Sequence, residues 1–556
     1  MASAALSALH GITAALSTAV LNVGIALLGV VVIALLYAYP YRALTLPFRN
    51  LKGPPPTSFV LGSLLTHALN PVGAAYKPWL AKYGATLRYR TLFGSWTILT
   101  VDPVMVGHVL QHTRQFHRQA TFNEFIGRIC GKGVLVVEND DHKRQRRAVS
   151  SAFSAFNVRG MTPILWEKSY ELVKTLNDLV GEGEAKGDST GTIDIHQYLM
   201  RATLDMIGLA GFNYDFESTA GRKNPLSTTL FGTVQLMQAP SLIRIFASIF
   251  PALFDAPTKL NKSMASTRHV MDTVGKEIIT ARKKELEADQ VKVEKRTQLG
   301  MDAVSLLVKA NMAADLRDDH RLTDDEVLGQ IGALLLAGNE TSATALTWAS
   351  WHLAHRPDIQ DKLRADVDSV DEDRPEVERL QTLPYLDQFV HELLRFDPPL
   401  HRVIRHCVED TVVPLSIPVQ GADGKTIDSI KVSKGTEIAI AINEINRSKE
   451  IWGEDAEEFN PDRFARTGIP ASNVPGIWGN LLTFIAGPHN CIGYRFALME
   501  IKIVLFVLVR NFKFEIDPAD PAVDRRVRSF TMRPVVVGRE SEGIQLPVVL
   551  RAIKRE

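Results

Sequence analysis

The chain has 556 residues, is 46% hydrophobic and 22% charged, and carries a formal net charge of +1. That apolar content can build a large core, and the near-neutral balance excludes a global field for nucleic acid or acidic substrates. The three cysteines, Cys130, Cys407 and Cys491, have no short spacing; this excludes a disulfide framework and a CxxC zinc site and suits a reducing compartment.

Residues 1–41 contain no Asp, Glu, Lys or Arg. Their stretch "LSTAVLNVGIALLGVVVIALLYAYPY" exceeds the roughly 20 apolar residues that a helix needs to cross a bilayer. A transmembrane anchor is expected over 1–45. A cleaved signal would need a charged n-region and a shorter apolar run, and a mitochondrial presequence would need early Arg. Arg42, Arg49 and Lys52 follow, so the body is expected on the cytoplasmic side. Tyr37, Tyr39 and Tyr41 are candidates for the interface. A hinge over 46–56 ends in Pro54, Pro55 and Pro56, read as a stiff spacer.

Length alone allows about three or four domains. No later linker separates independent units, so residues 57–556 read as a single large domain, mainly α with small β-sheets. Strand-like pieces lie at 84–101, and helical patterns dominate from about 160. Polar loops are expected at 181–191 and around 286–299. A hairpin is expected over 411–443 with "GADGK" as a turn. The apolar segment 230–257 reads as core helices or as a lid dipping into the membrane.

"HKRQRRAVSSAF" at 142–153 is a basic run, read as a solvated face or a docking surface through Lys143, Arg144 and Arg147. "TDDE" at 323–326 is a capping box that starts a helix running to Arg356, where Pro357 stops it. Its apolar middle is interrupted by Gly338, Asn339, Glu340 and Thr341. A Thr bonded back to a carbonyl would explain this structurally. Glu392 and Arg395, three apart, share a helix face.

Cys491 lies in "FIAGPHNCIGYRFALMEIK", in a turn framed by Gly487, Pro488 and Gly493, before a buried helix at 492–510. A buried lone Cys is ordinarily a small hydrophobe, as Cys130 and Cys407 are read. At a helix start, a thiolate is favoured by the dipole. One sulfur with no partners excludes tetrahedral zinc and iron–sulfur clusters and fits the axial position of a haem.

With this turn the sequence resembles the cytochrome P-450 superfamily, whose signature is Phe-x-x-Gly-x-Arg-x-Cys-x-Gly. Phe484, Gly487, Cys491 and Gly493 match, and His489 stands where Arg is usual. Ala337, Gly338, Glu340 and Thr341 match the family's oxygen-groove motif. Glu392, Arg395 and Arg463 match its buried structural triad. Arg146 matches the Arg of a Trp-x-x-x-Arg helix in which His142 replaces Trp, and Arg405 matches a further propionate-binding Arg. The motifs occur in the family's order and cover most of the chain beyond residue 50.

The resemblance implies a P-450 fold and haem b (heme b, iron-protoporphyrin IX) ligated by Cys491. It implies cofactor contacts from His142, Arg146, Arg405, Phe484 and His489, and proton delivery by Glu340 and Thr341. The implied enzyme is a microsomal-type monooxygenase, most similar to fungal members. It would sit in the endoplasmic reticulum membrane and take electrons from NADPH through NADPH-cytochrome P-450 reductase, with cytochrome b5 as a second donor. The substrate would be a lipophilic small molecule, with terpenoid tailoring in secondary metabolism as one class. Phe122, Phe125, Ala333, Val403 and Phe530 are its pocket candidates. A P-450-like isomerase or dehydratase acting on peroxides, and a haem carrier or sensor, are the alternatives; an intact acid–hydroxyl pair favours oxygen activation.

Overall fold

The computed structural model describes residues 2–554 except 186–190, 239–245, 248–250, 290–301, 313–320, 466–473, 518 and 529. The N-terminal helix Ala2–Leu36 continues through a π-helical turn, Tyr37–Tyr41, which accommodates Pro40, into Arg42–Thr45. Its segment Thr18–Thr45 has 28 residues and a mean hydropathy of 2.8, with none of it buried. At 1.5 Å per residue that is about 42 Å, enough to cross a bilayer.

The stretch after it is non-helical at the prolines, as expected of a stiff spacer, and it packs against the body. Phe48, Leu51 and Pro54 are buried in the body. Arg88 N–H donates to the Lys52 carbonyl at 3.0 Å. A Cβ at Gly53 would sit 1.6 Å from the Arg88 carbonyl oxygen, so only glycine allows this approach. Tyr39 is tied to the body as well: its ring stacks on Phe59 at 4.0 Å and its hydroxyl donates to the Phe59 carbonyl at 2.8 Å.

The strand-like pieces expected at 84–101 are β1 (Thr86–Arg90) and β2 (Trp96–Thr100), which pair antiparallel. With β3 (Phe116–Arg118), β5 (Val403–Cys407) and β8 (Glu437–Ile440) they make a five-stranded sheet ordered β1-β2-β8-β5-β3. Between these lies β4 (Thr192–Asp194), which joins β9 (Phe512–Ile516) and β12 (Pro547–Ala552). Strands β6 (Thr411–Gln420) and β7 (Thr426–Val432) form the expected hairpin on the "GADGK" turn, whose Gly424 has φ +78°. The fourth unit pairs β10 (Val523–Arg528) with β11 (Thr531–Val536).

Helices supply the rest of the core. The charged positions 181–185 are the end of helix Ala155–Ala185 rather than loop, and Lys259–Asp289 likewise runs through 286–289. Positions 186–190 and 290–299 lie outside the described residues. The apolar segment 230–257 starts on helix Pro225–Gln238, and 239–245 and 248–250 also lie outside.

The central helix, Asp324–His355, begins with both bonds of the Thr323–Glu326 capping box. Its 32 residues span about 48 Å, and it packs on helix Ile195–Phe212 and on the helix after Cys491, Tyr494–Asn511. No break occurs at Gly338–Thr341, because each polar residue is bonded. Asn339 Oδ1 accepts from Thr203 at 2.7 Å, and Thr341 donates back to the Ala337 carbonyl of its own helix. The missing Cβ of Gly338 lets Ile207 come close, at 2.7 Å from where that carbon would be.

Glu392 and Arg395 are fully buried on helix Pro384–Phe396 and form a two-bond fork at 2.7 Å each. Arg463 Nε lies 3.6 Å from the same carboxylate. Arg395 also donates to the carbonyls of Asn446, Ala456 and Glu458. Removing the carboxylate strands a buried guanidinium, so Glu392→Ala is expected to cost about 3–5 kcal/mol. Denaturant unfolding of the variant beside the parent measures this, and a loss within the range of a surface pair would refute the buried-fork account.

Candidate functional site

Cys491 ends a tight turn that enters the helix Tyr494–Asn511. Its N–H donates to the Phe484 carbonyl at 2.9 Å, closing the loop. Ile485 (φ +60°) and Gly487 (φ +70°) give the loop its left-handed kinks. A Cβ at Gly487 would lie 2.1 Å from the Leu110 carbonyl oxygen, so this glycine is required. Gly493 is not constrained in that way: its added Cβ would meet only Phe153, at 3.9 Å.

The Cys491 thiol is half-buried. Burial pushes its pKa up, while the Gly493 N–H and Arg146 pull it down. Burial outweighs both pulls, so the thiol stays above its ordinary value, against the lowering expected at a helix start. Arg146 reaches this loop directly: Nη1 donates to the Asn490 carbonyl and Nη2 to Asn490 Oδ1, each at 2.5 Å. Arg146, expected as a propionate contact, here braces the residue before the cysteine. An open cleft of about 260 Å³ lies here, lined by Arg146, Phe153, Asn490, Cys491, Tyr494 and Arg495 among others.

A second cluster gathers the other expected cofactor contacts. His142 and His489 are buried and meet edge to face, ring centroids 4.2 Å apart. Glu138 Oε2 lies 3.3 Å from His489 Nε2, and Glu138 Oε1 accepts from the Arg118 N–H at 3.0 Å. Arg118 pairs with Arg405 across β3 and β5. Desolvation, then Arg118 and Arg146, pushes His142 down to about 3; desolvation, then Arg118 and its other neighbours, holds His489 far below the usual histidine range. Both rings are neutral. Burial, then Arg118, also lowers Arg405, to about 10.

This cluster holds more cation than anion. Among the described residues, His142 Nε2, both ring nitrogens of His489 and Arg405 Nε are buried without a well-formed hydrogen bond. Buried donors left over beside guanidinium groups suit an anionic ligand edge. The residues present therefore fit a porphyrin with carboxylate side arms. Sequence reasoning missed Arg118 and Glu138, whose roles arise from long-range strand pairing.

The central helix contributes the third part. Most of it is buried, yet Ala337 is exposed and Gly338 and Thr341 are half-buried. These positions mark one open face in mid-helix. Thr341 Oγ1 donates to the Ala337 carbonyl at 2.8 Å, so the back-bonded Thr weighed from sequence is present. Its oxygen keeps lone pairs as acceptors. Glu340 is turned elsewhere: Oε1 lies 2.6 Å from Arg533 Nη2 and accepts from Thr531 at 2.8 Å. Arg533 was missed, although a lone charge in the apolar "TMRPVV" was a signal.

Of the pocket candidates, Phe122, Phe125 and Phe530 come together around Leu336, Ile126 and Met264. Ala333 is buried close to Gly133, and Val403 packs against the sheet core. Arg144 is not a free docking charge either, because it is bonded to Glu326 at the start of the central helix. Lys143 and Arg147 are exposed.

The comparisons with known proteins agree with this geometry. The family model for cytochrome P-450 matches residues 52–537. Cytochrome P-450 monooxygenase 205 of Postia placenta is 35% identical over 511 residues, covering 91% of this chain and 93% of that protein. Cytochrome P-450 monooxygenase claQ of Ampulloclitocybe clavipes is 35% identical over 515 residues, with the same coverage. The chain belongs to the cytochrome P-450 family, and with it to the haem-dependent monooxygenases.

Glu500, on the helix after Cys491, is fully buried beside Ser342 of the central helix. Burial raises its carboxyl pKa from 4.5 to about 8, against a smaller lowering by Ser342. The folded state thus keeps a proton that the unfolded state releases above about pH 4.5, so this group's effect is to lower stability as pH rises to about 8. Glu500→Gln should remove that slope and stabilise the fold by about 3 kcal/mol at pH 7. Urea unfolding midpoints across that range measure it; parallel curves for the two proteins would show that Glu500 is not carried neutral.

Proposed function

We propose that the chain binds haem b through Cys491 and inserts one oxygen atom into a lipophilic small molecule by hydroxylation or epoxidation. The observation that carries this is the open mid-helix face at Ala337, Gly338 and Thr341, on a helix packed against the one that follows Cys491. When bound, the haem supplies oxygen activation, and thiolate donation favours O–O cleavage. Cys491 would hold the iron. Arg405, His489 and His142 would hold the propionate edge, with Arg118 added to the expected set and Arg146 bracing the loop. Phe484 supplies the carbonyl that fixes the Cys491 backbone.

Thr341 and Glu340 handle protons in this reading. The Thr341 hydroxyl points its own proton at Ala337 and accepts at Oγ1 from the open face. Glu340 is the buried acid one residue away. Electrons come from NADPH through a flavoprotein reductase, with cytochrome b5 as an accessory donor. The exposed charges Lys143, Arg147 and Arg495 border the face nearest Cys491 and suit an acidic partner. Phe122, Phe125 and Phe530 supply an apolar wall, which supports terpenoid-like substrates. The Thr18–Thr45 helix supports single-pass anchoring in the endoplasmic reticulum membrane, with the body on the cytoplasmic face. The units follow as anchor 1–45, the connecting segment 46–56 and the haem domain 57–556.

Two substitutions test the assignment. Cys491→Ala should abolish the red-shifted Soret band of the reduced carbon monoxide complex, and persistence of that band would rule out Cys491 as ligand. Thr341→Ala should raise peroxide and lower product per NADPH, with a rate loss near the low end of about 10²–10⁴ because water substitutes in part. Haem content should stay at the parent level; an unchanged product-to-NADPH ratio in that folded variant would leave Thr341 with only its structural back-bond.

A further inference from the structure

Arg533 is a lone charge in the apolar strand β11, and it is fully enclosed. Its Nη2 lies 2.6 Å from Glu340 Oε1, and Thr531 donates to the same oxygen at 2.8 Å. Thr531 in turn accepts from Arg533 Nε at 2.9 Å and from Thr344 Oγ1 at 3.3 Å. The acid of the central helix is therefore held from outside that helix, by β11. Thr341, the next residue, is on the open face.

One residue before Thr531, the chain does something different. Phe530 sets its ring edge against Phe122 at 5.7 Å and against Phe125 at 6.1 Å, between centroids. These rings share an apolar cluster with Leu336, next to Ala337 on the central helix. Four consecutive residues, Phe530 to Arg533, thus touch both the apolar wall and the buried acid. Strand β11 is paired with β10 along six residues, closing at Arg528 and Thr531. A paired ribbon moves as a unit, so a shift at Phe530 is transmitted to Thr531 and Arg533.

We propose that Arg533 and Thr531 are positioning residues for the Glu340 carboxylate, and that Phe530 links their hold on it to occupancy of the apolar pocket by a lipophilic substrate. This rests on the proton-delivery reading of Glu340 and Thr341 given above. With the pocket empty, the carboxylate is fixed on Arg533, since a buried carboxylate does not leave its guanidinium without a replacement. A substrate that displaces Phe530 from Phe122 and Phe125 shifts the ribbon and loosens both contacts to Oε1. Glu340 can then take a proton from solvent, pass it toward Thr341 Oγ1 and return to the ionised form. The site withholds protons until a substrate is present, which limits wasteful NADPH use.

The test uses full-length holoenzyme, with phenylimidazole as an apolar probe of the pocket. Hydrogen–deuterium exchange is followed over residues 523–536 and 334–345. In the parent, the probe should raise exchange in both segments together. In Phe530→Leu and Phe530→Ala the probe should still shift the haem absorbance band, while the rise in exchange is lost. A second arm measures NADPH oxidation with reductase and no ligand. Arg533→Gln and Thr531→Val should each raise it several-fold, and Arg533→Lys should restore the low parent rate; Thr531→Val carries this arm if Arg533→Gln does not fold. An equal rise in exchange with Leu at 530, or a ligand-free rate unchanged in the folded variants, would overturn the proposal. Glu340→Gln separates the underlying reading: if it leaves the solvent isotope effect of that oxidation unchanged, proton delivery by Glu340 fails, whatever the exchange data show.

Discussion

The position of the cysteine depends on a buried charge pair remote from it in the chain, the Glu392–Arg395 fork. Arg395 takes the Asn446 carbonyl at 2.9 Å. Asn446 then uses its side chain on the cysteine approach: Oδ1 accepts from the Leu482 N–H at 3.1 Å, and Nδ2 donates to Thr483 Oγ1 at 2.9 Å. Thr483 Oγ1 returns to the Leu394 carbonyl at 2.6 Å, beside Arg395 itself. The next residue, Phe484, offers the carbonyl that receives Cys491 N–H. Every group in this chain is buried, so each would lose its partner if the fork opened. A pair that is costly to bury gives the otherwise irregular segment one geometry.

The cradle formed by His142, His489, Arg118 and Arg405 follows a different logic. A fourth guanidinium at position 489, beside Arg118, Arg405 and Arg146, would add another buried cation against the single carboxylate of Glu138. The histidine avoids that: desolvation and its cationic neighbours keep it neutral. It still offers ring nitrogens for hydrogen bonds. The positive charge available to an anionic cofactor edge would then rest on Arg405 and Arg118, which the sheet places side by side. Replacing Arg by His is therefore compatible with the same ligand chemistry, with the charge carried by strand β3 instead of the cysteine loop.

Local signals were legible in the sequence. The capping box, the strand-like pieces at 84–101, the "GADGK" turn, the long apolar N-terminal run and the glycine-framed cysteine each depend on a few neighbouring residues. Glu392 and Arg395 were legible for the same reason, being three apart on one helix. What stayed hidden depends on residues brought together from afar. Arg118 meets Arg405 only through sheet pairing, and Glu340 meets Arg533 only because β11 lies along the central helix. The packing of the proline segment was hidden because local stiffness says nothing about packing: Phe48, Leu51 and Pro54 are buried by contacts that the pattern does not encode. Gly338 is similar, since a glycine in a helix signals a close approach without naming the neighbour, here Ile207.

The central helix resolves an apparent conflict in its own middle. A polar quartet inside a buried helix should be unfavourable unless each group is satisfied, and a shared groove would leave several of them unsatisfied at once. The structure instead divides the quartet between faces. Asn339 bonds Thr203 on the neighbouring helix, Glu340 is held by β11, and Gly338 admits Ile207. Only Thr341, with Ala337 beneath it, is left toward open space, and its proton is already committed to the Ala337 carbonyl. The acid and the hydroxyl are thus adjacent in sequence but separated by the helix surface. Cooperation between them would require the carboxylate to change partners, and the strand that holds Glu340 would then act on the site together with the helix that bears it.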